Sequence, residues 1–422
     1  MRRALLGSAG LRAANAGLGF AVAVVLARAL GAEGYGIYST AFVVASVCAI
    51  VVQFGLPNLV MRETARAQVA GDWPRMRAVW RWATRAALLF SAGVLSVGGL
   101  ALLVLSERIG AEQWPTLLLA LLLVPLIALG ALRAGALRGL QHVVLAQLPE
   151  MIVKPGVMLG LALMLGLMVP ASPGAAMAMQ LTAVAMAFAL GALLLWRCRP
   201  TGLRTAAAGP QQQTVSLWKP ALTMGLATGM NQFNNYTDIL LLSVFHPGRD
   251  VGVYRIAYQV SILSLFGQQT IAMVLAPDFA RLKAVADTAT MTARARMMAR
   301  LSIIPPLLIL ALYAAKGDGL QSLVFGDDYI GAVPAILILT LGQLMAATVA
   351  ASGYILTMTG NERSYFRIKA IGAGTNIVIG LILIPPYGIF GAAISTLISL
   401  LLVNAAAWRV CHRLERIRVL PW

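Results

Sequence analysis

The run MNQFNNYTDIL places Asn231, Asn234 or Asn235, and Asp238 at i, i+3/i+4 and i+7, one stripe of a helix. Amide side chains offer donors and acceptors together, the chemistry that meets sugar hydroxyls. The lone carboxylate among them suits a cation or a proton. The same groups also cap or glue neighbouring helices, so both uses of the stripe stand open. Four cations recur in equally apolar surroundings: Arg12, Arg133, Lys154 and Arg255. A guanidinium grips phosphate with a bidentate fork, so a phosphate-bearing anion is their natural complement.

Each charge also has a plainer use. Arg255 stands 17 residues after Asp238 and either meets the phosphate or pairs with Asp238. Arg12, on one face with Asn15, either meets a headgroup or snorkels to the interface. Arg133 lies deeper in its run than Arg138, whose role is topological. Glu150 and Lys154 are spaced i, i+4 beside Pro149 and Pro155, which suits an intrahelical ion pair. Those prolines leave backbone carbonyls unpaired, so a flexible, wetted segment is the other reading. Four cations against Glu150 and Asp238 favour an anionic cargo, with Asp238 and Glu150 as candidates for ion coupling. No phosphate-binding glycine loop or catalytic set is present, and Cys48, Cys198 and Cys411 have neither disulfide nor metal spacing. No cofactor is expected, beyond coupling to a proton or sodium gradient.

These residues stand in a chain of 422, of which 59% is apolar and 11% charged, with mean hydropathy +0.82. That excludes a water-soluble globule. The charge of +18 would suggest nucleic acid, but the basic residues sit in short clusters between apolar runs, as membrane topology is written. Twelve runs reach the ~20 residues that a crossing needs. They are 8–30, 36–58, 83–105, 115–137, 145–168, 174–196, 219–244, 252–276, 299–315, 331–357, 366–385 and 388–408. The first imitates a signal peptide but is interrupted by Arg12 and Asn15, and reads as an uncleaved helix. Of the 33 basic residues, 25 fall in the termini and even loops and four in the odd loops, which puts both termini in the cytoplasm. Segment 61–81 reads as an amphipathic stretch on the inner leaflet, and 316–330 as the longest outer loop.

The polar stretch CRPTGLRTAAAGPQQQTVS, 198–216, reads as a linker between six-helix bundles at 1–197 and 217–422. A shift of 216 residues aligns Asn15 with Asn231, Gly36 with Gly252, Tyr38 with Tyr254, Ala41 with Ala257 and Gln53 with Gln269. Six crossings per repeat make the halves parallel, related by a pseudo-two-fold axis along the membrane normal, with a cavity between them. The expected fold is an all-α polytopic membrane protein.

The string LARALGAEGYGIYSTAFVVASVCAIVVQFGLPNLVMRETAR (26–66) resembles the opening signature of the oligosaccharide flippase, or polysaccharide transport, family. That family belongs to the multidrug/oligosaccharidyl-lipid/polysaccharide exporter superfamily. LRGLQ (137–141), DILLLSVFHPGRDVGVYRIAYQ (238–259) and LTMTGNERSY (356–365) resemble its later landmarks in order. The resemblance implies alternating-access flipping of undecaprenyl-diphosphate-linked oligosaccharide to the outer leaflet of a bacterial inner membrane, for surface polysaccharide. It implies membrane lipids, a polysaccharide polymerase and glycosyltransferases as partners, and no nucleic acid. Asp238 matches an acidic position common in that family. The alternatives are a cation-coupled multidrug antiporter of the superfamily, with acidic cavity walls, and a lipid II-type flippase, which usually carries two further C-terminal spans. A membrane polymerase or ligase needs a larger outer loop than 316–330.

Overall fold

The structure is a computed structural model that describes residues 2–107, 109–165, 172–205, 217–415, 417, 419 and 420. Residues 206–216 of the expected linker lie outside the described residues. Helices account for the secondary structure, with no strand among the described residues. In chain order they are α1 (Arg2–Gln53), α2 (Leu56–Ala70), α3 (Trp73–Val104), α4 (Gln113–Gly139), α5 (Val143–Leu148), a π turn (Pro149–Val153), α6 (Lys154–Leu165), α7 (Pro173–Arg197) and α8 (Thr201–Thr205). Then follow α9 (Trp218–Phe245), α10 (Gly248–Ala284), α11 (Thr288–Phe325), a 3-10 turn (Asp327–Ala332), α12 (Val333–Thr348), α13 (Ala351–Met358) and α14 (Glu362–Glu415). Among the described residues, eight helical stretches are long and apolar enough to cross a membrane. The protein is a multi-pass membrane protein. Apolar stretches of this length leave lipid no unpaired backbone groups to satisfy, which only helices or closed barrels achieve.

Two of those stretches, Gly10–Gln53 and Glu362–Glu415, run to 44 and 54 residues, about twice what one crossing needs. Each is broken by a glycine. Gly31 has φ 66°, and Gly388 has φ 52° with ψ −124°. Both lie in backbone regions that a Cβ disfavours, so glycine is what lets the chain turn there without leaving helical hydrogen bonding for long.

Two expected segments take more structure than their sequence suggested. Segment 61–81 is divided between two helices: Gly71, at φ 65°, closes α2, and Asp72 opens α3 by accepting the Arg75 N–H at 3.0 Å. Its arginines are not simply displayed to lipid, since three of them converge on a buried carboxylate, Glu63. The expected outer loop 316–330 is mostly helical, because α11 continues past a kink at Lys316 to Phe325 and the 3-10 turn follows.

The chain divides into two compact units. One comprises Met1–Leu30 and Ile37–Tyr236, the other Gly31–Gly36 and Thr237–Trp422. In the first, α4 packs on α2, α3 and α7, around small and branched residues such as Ala134, Leu137 and Ala146. In the second, α10 packs on α11 and α12, and α12 on α14. Its core gathers Phe279, Met291, Met298, Ile355, Leu356 and Cys411. Within this second unit Gly36 and Gly252 lie in direct backbone contact, where a Cβ on either would come within about 2 Å of a carbonyl of the other segment. Close approach of this kind is how membrane helices gain packing and weak Cα–H···O contacts in the absence of a hydrophobic drive.

Candidate functional site

In the second unit the site forms around Asp238 on α9, which is 6% exposed. Its Oδ1 accepts from Asn376 Nδ2 of α14 at 2.8 Å. Its Oδ2 accepts from Thr396 Oγ1 at 2.5 Å and from the Tyr254 hydroxyl of α10 at 3.0 Å. Three neutral donors from three helix segments thus hold one carboxylate, and it forms no ion pair among the described residues. The pairing with Asp238, one of the two uses open to Arg255, is not formed; the residue before it, Tyr254, bonds the carboxylate instead, and Arg255 is half-buried. Asn376 Oδ1 is buried without a hydrogen-bond partner. Carboxylate, amide and hydroxyl oxygens in one dry place are the donor set of a hard cation, and a single proton would equally neutralise the group. No cluster of three or more His, Cys, Asp or Glu exists among the described residues, which is the set a transition metal would want.

The asparagine stripe does not share one environment. Asn234 is half-buried with Oδ1 lacking a hydrogen-bond partner, and Asn235 is exposed. The side chain of Asn231 lies outside the described residues. Among the described side chains of the stripe, Asp238 alone is enclosed.

In the first unit Arg133 of α4 is 5% exposed. Its Nη1 donates to the carbonyls of Ala187 and Phe188 of α7, at 3.2 and 2.6 Å, and its Cζ stands 5.6 Å from the Phe188 ring centroid. Gly191 makes room for it: a Cβ there would lie 2.1 Å from Arg133 Cζ. Glu150 then links Arg133, with Oε1 3.8 Å from Nη2, to Lys154, with Oε2 3.5 Å from Nζ. The intrahelical pair expected from the i, i+4 spacing is therefore present, and between the two prolines the helix widens into the π turn Pro149–Val153, where the Lys154 N–H donates to the Pro149 carbonyl. A π turn widens the helix locally and is frequent at functional sites. Arg12 is half-buried with Nε lacking a hydrogen-bond partner, and Asn15 is half-buried beside it on α1; neither joins the Arg133–Glu150–Lys154 group.

The aligned repeat is written into the hydrogen bonds as well. Tyr38 donates to Gln180 at 3.2 Å, 142 positions away, and the Tyr254 hydroxyl lies 3.4 Å from Thr396 Oγ1, also 142 positions away. Gln180 and Thr396 are themselves separated by the same 216 residues that separate the tyrosines. Each unit thus carries the same tyrosine contact, but only the second adds a carboxylate: the positions matching Asp238 and Asn376 are Val22 and Gly160. Tyr254, Asn376 and Thr396 were not singled out by sequence reasoning as site residues. Tyr254 stood in the repeat, which was the available signal; Asn376 and Thr396 each follow another small polar residue, Thr375 and Ser395, in otherwise apolar runs.

Residues 8–283 match the polysaccharide biosynthesis protein family. The chain belongs to that family. Among curated relatives, an uncharacterized membrane protein of Methanocaldococcus jannaschii is 31% identical over 165 residues, 38% of this chain and 32% of that protein. Two proteins of Haloferax volcanii follow. One, named as a probable low-salt glycan biosynthesis flippase, is 23% identical over 40% of this chain and 35% of its own length. The other, named as a probable flippase, is 28% identical over 42% of this chain and 37% of its own length. The chain thus spans about a third of the length of the curated relatives it matches. Its fold is similar to that of a solved structure described as the inward-facing conformation of a multidrug resistance MATE family transporter of the MOP superfamily, with TM-score 0.78 at 14% identity over 94% of both chains. The lipid II flippase MurJ gives TM-score 0.71 at 13% identity, over 94% of this chain and 85% of that one.

Proposed function

We propose that this family member is a flippase for lipid-linked oligosaccharide. The cargo is an undecaprenyl-diphosphate-linked repeat unit, carried by alternating access from the cytoplasmic to the periplasmic leaflet of a bacterial inner membrane. The protein is not an enzyme in this reading; a polymerase and glycosyltransferases act before and after it. The chain crosses the membrane twelve times, as six-helix bundles at 1–197 and 217–422 joined through 198–216, with both termini cytoplasmic. The matched tyrosine contacts and the Gly36–Gly252 approach support a repeat of that kind.

One observation carries the choice of cargo. Arg133 is enclosed inside an apolar helix and is only partly offset by Glu150, which it shares with Lys154. A cation at membrane depth costs about 2.5–3.5 kcal/mol on insertion scales, so one that is kept has a use. An anionic headgroup is the complement. Arg12, Asn15, Lys154, Arg255 and the asparagines 231, 234 and 235 remain proposed contacts to that cargo. Asp238 is the proposed coupling residue, taking a proton or sodium ion, with Glu150 as a second candidate.

Deletion of the gene and complementation tests the reading. Wild type restores surface polysaccharide and clears repeat units stranded on the cytoplasmic leaflet, while Arg133→Ala and Asp238→Ala do not. Unchanged glycan together with altered dye efflux contradicts it and favours the antiporter, which the MATE-like fold and the buried carboxylate of Asp238 would also suit.

A further inference from the structure

His246 follows α9 directly, and its side chain, 20% exposed, reaches the break in α14. Its backbone N–H donates to the Leu242 carbonyl at 2.9 Å, so the residue is carried by the last turn of α9. Nε2 lies 2.8 Å from the carbonyl oxygen of Ile384 on α14, four residues before Gly388. Nδ1 lies 3.4 Å from Oδ2 of Asp250, in the first turn of α10. Three helices of the second unit thus meet at one imidazole. A Cβ on Gly388 would stand 3.1 Å from Cε1, so the ring packs directly on the residue whose positive φ makes the break.

Both ring nitrogens face acceptors. A carbonyl oxygen only accepts, so Nε2 carries the hydrogen of that bond. The neutral ring then turns a bare lone pair on Nδ1 toward a carboxylate, which also only accepts. The imidazolium alone donates on both sides. Other charges at this end are placed elsewhere. Arg249 on α10 and Glu33, on the α1 segment packed at Gly248, are exposed and form no ion pair among the described residues. Tyr254 is bonded to Asp238 of α9, and Arg255 lies more than a turn beyond Asp250. In the 3-10 turn packed on α10, Asp327 takes the Ser322 hydroxyl and Asp328 stands beside Gly31. Tyr387 is the one titratable residue of α14 between Lys369 and Arg409.

We propose that His246 is a pH-sensitive clasp that, when protonated, fastens the break in α14 to the turn between α9 and α10. That turn is the fixed side, since Gly248 abuts the backbone of Gly36. α14 is the side with freedom, because Pro385 and Pro386 bring it no N–H and Gly388 interrupts it. Loss of the proton turns the Asp250 contact from attraction to repulsion. The clasp is therefore closed at low pH and opens as pH rises through the titration of the ring. Under the proposed function this end of the second unit faces the periplasm, so the clasp reads external acidity; the side it faces rests on that reading, and the clasp itself does not.

Hydrogen exchange of the purified full-length protein in detergent, read by mass spectrometry and corrected for the intrinsic pH dependence of exchange, tests it. In wild type the amides between Ile382 and Gly391 exchange about threefold or more slowly at about pH 5 than at about pH 8, the protection that one hydrogen bond supplies. His246→Gln keeps a donor for the Ile384 carbonyl but does not titrate, so the pH step vanishes. Asp250→Asn removes the carboxylate that favours the imidazolium, so the step moves to lower pH. Equal protection at both pH values in wild type overturns the proposal, and so does a step that survives His246→Gln. Where the glutamine variant fails to fold, Asp250→Asn decides, and a step that stays in place or moves to higher pH overturns the clasp. No cargo enters the measurement: failure of flipping in cells would fault the cargo proposal alone, and a flat exchange profile would fault the clasp alone.

Discussion

Asp238 and Arg133 show how a membrane protein keeps a charge it cannot solvate. Asp238 is held by hydroxyl and amide donors, Arg133 by two backbone carbonyls and an aromatic face. Neither is neutralised by a dedicated full ion pair, so each remains available to a mobile counter-charge. Asp238→Asn keeps the shape of the first site and removes its charge. The expected outcome is a melting temperature within a few degrees of wild type, with transport no longer responding to an imposed proton or sodium gradient; transport that still follows either gradient refutes the coupling role. Gly191→Ala sets a methyl where the Arg133 guanidinium lies. The arginine is the flexible partner and moves, losing its carbonyl bonds, at a cost of about 1–3 kcal/mol. A lowered melting temperature with the helical circular dichroism retained checks this. At this scale the charged residues were legible because a lone charge in an apolar run stands out. Asn376 and Thr396 did not, because neutral polar residues are ordinary helix glue in lipid and only the fold shows that they face one carboxylate.

The elements owe their register to a few backbone positions. Each of the longest helices is broken where glycine sits at positive φ, Gly31 and Gly388. Hydropathy had separated the same stretches into pairs of apolar runs, so the breaks were foreseeable. The division of 61–81 was less so. Its arginines pattern as an amphipathic face, yet the cap formed by Gly71 and Asp72 ends one helix and starts the next, and Glu63 draws three arginines inward. Ion-pair geometry across a turn has no one-dimensional signature. The helical extension of α11 was hidden for another reason: Lys316 and Asp318 lower hydropathy without stopping a helix. The closest test at this scale is Gly36→Val. Its Cβ would fall 1.7 Å from the Gly248 carbonyl oxygen, which is backbone and cannot rotate away. α1 and α10 must separate there, and a lowered melting temperature with raised protease sensitivity is expected; an unchanged melting temperature would contradict the contact.

For the molecule as a whole, the repeat is what joins sequence to function. A 216-residue shift relates the tyrosine contacts of the two units, but the carboxylate belongs to the second and the enclosed Arg133 to the first. Under the proposed function, anion recognition and ion coupling rest on different copies of the repeat. The measurement that tests this most directly is flipping in proteoliposomes. Purified protein is reconstituted with a fluorescent polyprenyl-diphosphate oligosaccharide, and a membrane-impermeant quencher reports the leaflet it occupies. The account predicts protein-dependent equilibration of the label across the bilayer, lost in Arg133→Ala and made insensitive to the ion gradient in Asp238→Asn. Proteoliposomes that leave the labelled lipid on its original leaflet, yet exchange a cationic dye against protons or sodium, would contradict it.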